Sequence, residues 1–119
     1  MNYTVIVPFY NEEKNISPFN NELINNLKKI DNGKRNLEII YVDDGSNDET
    51  FNELKKLSSN TFETLIIKHH TNLSQSAAIN TGIAQSKYEN IVIMDGDLQN
   101  DPNDLAKMVS EFEKGTITV

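Results

Sequence analysis

Two rhythms alternate along the chain. Short, nearly unbroken apolar runs such as "TVIVPFY" and "NIVIMDG" are separated by longer stretches in which apolar residues return every three or four positions. The runs have the length and β-rich composition of strands buried on both faces, and the stretches between them read as amphipathic helices. Tyr3 to Phe9 is the first strand. Ser17 and Pro18 then read as a cap and a first-turn proline, followed at helical spacing by Phe19, Leu23, Ile24, Leu27 and Ile30. Asp31-Asn32-Gly33 stops that helix.

Leu37 to Val42 is a second strand running straight into Asp43-Asp44-Gly45. Ser46 and Glu49 have capping-box spacing ahead of a helix carrying Phe51, Leu54 and Leu57. Thr64 to Lys68 is a third strand, Ser76 to Gln85 a short helix, and Asn90 to Met94 a fourth strand. Pro102 opens a last helix bearing Leu105, Met108, Val109 and Phe112, which Gly115 closes. Thr116 to Val119 begins a fifth strand. This order predicts one α/β domain over residues 1–119: a parallel sheet of four to five strands with helices on both faces. Ligands of such sheets bind beyond the carboxyl ends of the strands. Three of those ends carry polar clusters, Asn11-Glu12-Glu13, Asp43-Asp44 and Asp95-Gly96-Asp97.

Composition narrows the class. The 119 residues are 37% hydrophobic and 24% charged, as expected of one soluble globular domain with a modest core. No apolar run approaches the roughly 18 residues of a membrane span, and the chain enters its first strand without a charged-then-apolar leader. There is no cysteine, hence neither disulfide framework nor thiolate chemistry, and a cytoplasmic setting is expected. A net charge of −7 argues against a nucleic-acid partner or a polybasic membrane patch. An anionic ligand would need a metal ion, helix N-termini or a few local cations.

Asp95 and Asp97 stand two apart at a strand end, so an extended backbone directs both carboxylates the same way. Held about 5 Å apart they repel by about 3 kcal/mol, a sign that a bound Mg²⁺ or Mn²⁺ reverses. The plainer reading is a solvated turn with Asp101 capping the next helix. Asp43-Asp44-Gly45-Ser46 is equally compatible with a tight turn and with carboxylates that accept hydrogen bonds from a base or a ribose. Tyr10 offers a flat face to a nucleobase or a cover for the core rim. The first turn has no G-x-G-x-x-G, which speaks against a dinucleotide site. His69 and His70 are adjacent and face opposite ways, so no shared metal and no catalytic role are expected of them. Asn72 to Ser76 is a polar loop before a helix whose amides could meet phosphate.

Together, "VIVPFYNEE", "VDDGSNDET", "NLSQSAAINTGI" and "MDGDLQNDP" resemble the family 2 glycosyltransferases of GT-A fold over essentially the whole chain. The D-x-D-L-Q form with Pro102 behind it looks most like the polyprenyl-phosphate sugar transferases. The resemblance implies a Rossmann-like nucleotide-sugar-binding half. In it Pro8, Tyr10 and Glu12 line the base pocket and Asp43 and Asp44 contact base and ribose. Asn72 and Asn80 shape the floor beneath the donor. Asp95 and Asp97 hold the ribose edge and the diphosphate with its Mg²⁺ or Mn²⁺, with Gln99 near the transferred sugar. The partners implied are a UDP- or GDP-linked sugar and a lipid-phosphate acceptor, with a glycan hydroxyl as the alternative, on the cytoplasmic face of a membrane.

Three departures stand out. Leu73, Ser74 and Gln75 replace an aromatic, a glycine and a basic residue, Gly96 replaces a usual alanine, and Asp101 replaces a frequent proline. The resemblance further implies a longer parent carrying the acceptor site, so the chain alone is expected to bind nucleotide and turn over poorly. Its unfinished sheet edge also suggests self-association. Two other classes fit worse. A D-x-D phosphohydrolase wants Thr or Val where Gln99 stands. A receiver domain wants acids where Pro8 and Tyr10 stand, and an aspartate where His69 and His70 stand.

Overall fold

A computed structural model of the protein describes residues 2–31, 35–57, 61–95 and 104–113, with Ala106 and Phe112 described by their backbone alone. The elements are β1 (Asn2–Phe9), α1 (Ile16–Ile30), β2 (Asn36–Asp43), α2 (Thr50–Lys55), β3 (Glu63–Lys68), α3 (Gln75–Gln85), β4 (Asn90–Ile93) and α4 (Leu105–Glu113). The four strands form one parallel sheet in the order β3-β2-β1-β4. The chain moves outward from β1 to β3 and then crosses back to β4. The switch in direction therefore falls between β1 and β4, where open α/β sheets leave a crevice.

β1 and β2 are buried from Tyr3 to Phe9 and from Leu37 to Asp43, as continuous apolar runs require of central strands. Alternate residues serve two layers. Tyr3, Val5, Val7, Phe9, Leu37, Ile39 and Tyr41 join Phe19, Leu23 and Leu27 of α1, Leu54 of α2, and Leu105 and Val109 of α4 in the larger core. Phe9 sits at its centre, edge-on to Phe19 at 5.8 Å and tilted against Tyr41 at 5.5 Å. Ile6, Ile40 and Val42 pack on the other face against Ala78 of α3. α3 lies so close that a Cβ on Gly82 would stand 2.7 Å from Ile6 Cγ2. Helices thus cover both faces, three on one side and α3 on the other.

Two local devices fix the frame. Glu113 at the end of α4 receives Arg35 Nε at 2.9 Å, Arg35 Nη2 at 2.8 Å and the Tyr3 hydroxyl at 2.6 Å. The Arg35 bond chiefly, then the Tyr3 bond, lowers the Glu113 carboxyl from 4.5 to about 2. At the amino end of the sheet the buried Glu38 Oε2 accepts from Thr4 Oγ1 at 2.7 Å and from the Lys87 amide at 2.8 Å.

The helix caps differ from expectation. Asn15, not Ser17, precedes α1, and Pro18 lies within the first turn, where a missing N–H leaves no bond unmade. α3 starts at Gln75 behind Ser74, whose Oγ accepts from the Ala77 amide at 3.0 Å. The capping box ahead of α2 does not form: Asp48 Oδ1 receives the Thr50 amide at 2.9 Å, and Ser46 is engaged elsewhere. Asn32, Gly33, Pro102, Gly115 and Thr116 to Val119 lie outside the described residues. Among the described residues no helix is long and apolar enough to cross a membrane.

Candidate functional site

Parallel pairing brings all four strand ends to one edge. β2 ends in Asp43 and Asp44, 0% and 3% exposed. Gly45 follows at φ +73°, the left-handed turn that lets the chain leave the sheet. Asp43 Oδ1 accepts the Ser46 amide at 3.1 Å and the Ser46 hydroxyl at 2.5 Å. Among the described residues, Asp43 Oδ2 is buried with no hydrogen-bond partner. A buried acceptor left so costs about 1–3 kcal/mol, and more when it is charged.

Asp44 is held from the other side. Its amide donates to Phe9 O at 2.9 Å, which extends the β1–β2 ladder by one bond. Its Oδ1 accepts His69 Nδ1 at 2.8 Å and the Leu73 amide at 3.0 Å, and its Oδ2 accepts Asn72 Nδ2 at 2.9 Å. A carboxylate has about four lone-pair sites, so these three donors leave Oδ2 able to take one more. His69 also donates its amide to Asp43 O at 2.8 Å, and its Nε2 meets Thr81 Oγ1 of α3 at 2.8 Å. The β3–α3 loop passes directly over Gly45.

The ends of β1 and β2 are laced together. The amides of Asn11 and Glu12 donate to Ser46 Oγ and Thr50 Oγ1, both at 2.9 Å. In return the Asn47 amide donates to Asn11 Oδ1 at 2.9 Å and the Glu49 amide to Glu13 Oε2 at 3.3 Å. Asn11 adopts φ 50°, a conformation that asparagine tolerates better than most residues. Burial opposes ionisation of Asp48, but bonds from the Thr50 hydroxyl and amide and from the Glu13 amide outweigh it, so its pKa falls. Asn11, Glu12, Glu13, Lys14, Asn15 and Asp48 line a cavity of about 280 Å³ beside this lacing.

The expected site residues take different positions. Asp43 and Asp44 lie side by side at the end of β2, and Asn72 donates to Asp44. Tyr10 is 41% exposed at the end of β1. Pro8 is buried within β1 opposite Val42, where it fixes the strand's exit. Glu12 Oε2 accepts from Asn15 Nδ2 at 2.5 Å. Asn80 lies exposed on α3, outside the Asp44 network. Asp95 follows Met94, whose amide still bonds to Ile6 O at 3.0 Å, and so stands partly exposed at the β1–β4 switch. Asp97 and Gln99 lie outside the described residues.

Sequence reasoning gave His69, Ser46 and Thr81 no role at the site. For His69 a signal existed: aligning the apolar runs of β2 and β3 sets Lys68 opposite Asp43, and therefore His69 level with Asp44.

A cation would find hard oxygen donors here. Among the described residues no three of His, Cys, Asp and Glu converge on one point. Mg²⁺, however, is commonly held by one or two carboxylates with substrate phosphates completing the shell. Asp95, at the crevice and followed two residues later by Asp97, has the donor chemistry for that arrangement.

Known proteins resemble this chain in sequence and in fold. A dodecaprenyl-phosphate galacturonate synthase of Rhizobium johnstonii is 36% identical over 112 residues, 93% of this chain and 32% of its own. The crystal structure of S. aureus TarS 1-349 in complex with UDP superposes with a TM-score of 0.69 at 30% identity, covering 96% of this chain and 32% of that one. A mannosyltransferase from Pyrobaculum calidifontis in complex with GDP-Man and Mn²⁺ gives a TM-score of 0.68 at 28% identity, covering 90% and 31%. The chain thus spans about a third of the length of the relatives it matches. The sequence model of Glycosyl transferase family 2 matches residues 4–119, and the chain belongs to that family.

Proposed function

We propose that this chain is the donor-binding portion of a metal-dependent glycosyltransferase that moves a sugar from a UDP- or GDP-linked donor to a polyprenyl phosphate. The observation that carries the reading is unfilled acceptor capacity in a rigid setting. Asp43 Oδ2 has no partner among the described residues, and Asp44 Oδ2 has room for one more. Both sit at the strand edge where α/β sheets take ligands. N–H and O–H groups of a base and ribose would complete them, with exposed Tyr10 as a flat neighbour. Asp95 and Asp97 would hold the cation at the diphosphate.

A divalent cation there would stabilise the negative charge that grows on the departing nucleoside diphosphate. The chain's own residues bind and orient: Asp43 and Asp44 fix the nucleoside, and the lacing of Asn11 to Ser46 and of Glu12 to Thr50 keeps them in place. In the transfer the bond from the anomeric carbon to the diphosphate oxygen breaks and one to an acceptor phosphate oxygen forms. A phosphate acceptor is already anionic and needs no general base, whereas a sugar hydroxyl does. The galacturonate synthase relative, named for a lipid phosphate, supports the first. Such an acceptor would put the parent enzyme on the cytoplasmic face of a membrane.

Calorimetric titration of UDP and GDP, with and without Mg²⁺ or Mn²⁺, tests the reading. One nucleotide should bind markedly tighter with metal. Asp97→Ala should reduce that metal dependence, and His70→Ala, at an exposed position, should leave it unchanged. A folded chain that binds neither nucleotide in the presence of metal would rule the reading out.

A further inference from the structure

We infer that His69 is a positioning residue of the donor site, acting through Asp44, which it holds in orientation and ties to α3; this rests on the donor-site reading above. Asp44 takes three side-chain-directed donors. Two of them, the Asn72 amide group and the Leu73 backbone, belong to an exposed loop whose own path depends on Asp44. The third, His69, follows directly on β3, and its backbone continues the sheet through its bond to Asp43 O at 2.8 Å. It is the donor to Asp44 that the rigid frame supplies.

A carboxylate only accepts, so the ring nitrogen facing Asp44, Nδ1, carries a proton. The other nitrogen, Nε2, lies 2.8 Å from Thr81 Oγ1, which in turn lies 3.0 Å from Ala77 O within α3. The His69 side chain is 9% exposed and both ring nitrogens are engaged. α3 cannot slide under this link, because Gly82, next to Thr81, is pressed on Ile6 of β1. The resulting path runs from the packed face of α3 through Thr81 and the imidazole to Asp44 Oδ1. It turns the remaining capacity of Asp44 Oδ2 in one direction. Loss of the imidazole would leave that orientation to the loop alone.

Asparagine and glutamine separate the two halves of the ring. His69→Asn keeps a donor near the Nδ1 position and abandons Thr81; His69→Gln reaches toward Thr81 and abandons Asp44; His69→Leu does neither. Each amide loses one of the two bonds, so a purely structural role would penalise both alike. The readout is the affinity for UDP or GDP with Mn²⁺, whichever binds the unsubstituted chain, beside the melting temperature of every variant.

The expected result is binding within about threefold of the unsubstituted chain for His69→Asn, and about tenfold or more weaker for His69→Gln and His69→Leu. Equal affinities of the Asn and Gln variants, or unimpaired binding by His69→Leu, would overturn the positioning role while leaving the donor site intact. Failure of the unsubstituted chain to bind either nucleotide would remove the donor-site reading and this inference with it.

Discussion

Gly45→Ala is the sharpest perturbation that the structure allows. At φ +73° a side chain costs about 1–2 kcal/mol from crowding against its own carbonyl. The larger effect lies across the loop. A Cβ would stand 2.2 Å from the Thr71 carbonyl carbon, 2.5 Å from the Asn72 nitrogen and 2.6 Å from the Thr71 oxygen. All three are backbone atoms, so no rotamer change relieves the overlap. With ordinary contact beginning at 3.4 Å, the β3–α3 loop must withdraw by roughly 1 Å. Asn72 and Leu73 then lose Asp44, to which they donate at 2.9 and 3.0 Å.

Each bond to a charged group contributes about 1.5–3 kcal/mol, and water replaces part of it in an exposed loop. With the backbone strain, the destabilisation comes to about 3 kcal/mol. Urea unfolding followed by far-ultraviolet circular dichroism measures it. For a slope of about 1.5 kcal/mol/M the midpoint should fall by about 2 M with the slope unchanged. Nucleotide binding should vanish with it. A midpoint shift under about 0.5 M, with the amide resonances of Asn72 and Leu73 unmoved, would refute the account of Gly45 as the point over which the loop is folded.

Two further perturbations probe the acids. Asp43→Asn keeps an oxygen for the two Ser46 donors and replaces the unpartnered oxygen with a neutral amide, so stability should change by less than about 1 kcal/mol while metal-dependent nucleotide affinity is lost; retained affinity would show that the buried oxygen serves no ligand. For Glu113, whose folded-state carboxyl titrates at about 2 against an ordinary 4.5, the stabilisation is complete above the higher value. It fades as pH falls through the lower one, and Glu113→Gln should flatten the acid limb of a stability–pH curve over that window. An unchanged acid limb would mean that the Arg35 and Tyr3 contacts do not persist in solution.

The strands were legible to within a residue or two because central parallel strands need unbroken apolar runs, and "TVIVPFY" and "LEIIYV" have no other comfortable environment. Grouping Asp43, Asp44 and Asp95 on one edge followed from the connection rule alone. Caps were less legible, since they turn on which of several neighbouring hydroxyls and carboxylates wins a given amide. Gly45 turns the chain so that Ser46 meets Asp43 and the Asn11 amide, which leaves Asp48 to serve α2.

The reading of His69 and His70 as facing opposite ways agrees with one being engaged and the other exposed. What lay beyond it was the cross-strand level of His69, which register decides and one strand's sequence does not contain. Asn80, assigned to the site by the resemblance, lies exposed on α3 next in sequence to Thr81 and outside the Asp44 network. Helical phase separates neighbouring residues by about 100°, so proximity along α3 is no guide to proximity in space.

Two buried carboxylates make the case for where this fold has kept capacity in reserve. Glu38, 3% exposed, has its Oε2 satisfied by Thr4 and by the Lys87 amide at the amino end of the sheet, the end that ligands of such folds do not use. Asp43, equally deep, has Ser46 on one oxygen and no partner among the described residues on the other. Among the described residues the buried oxygen left without a partner is thus on Asp43, at the carboxyl edge, and not on Glu38. At that edge the surrounding donors are spent on holding Asp43 and Asp44 still: Ser46 by the β1 loop, and His69 by α3. An acceptor pair so braced gains more from a ligand's N–H or O–H than a mobile surface aspartate would, because the cost of ordering it has been met during folding. Loosening the braces without touching either aspartate should weaken nucleotide binding, which is the outcome that separates a preorganised site from two acids that merely end a strand.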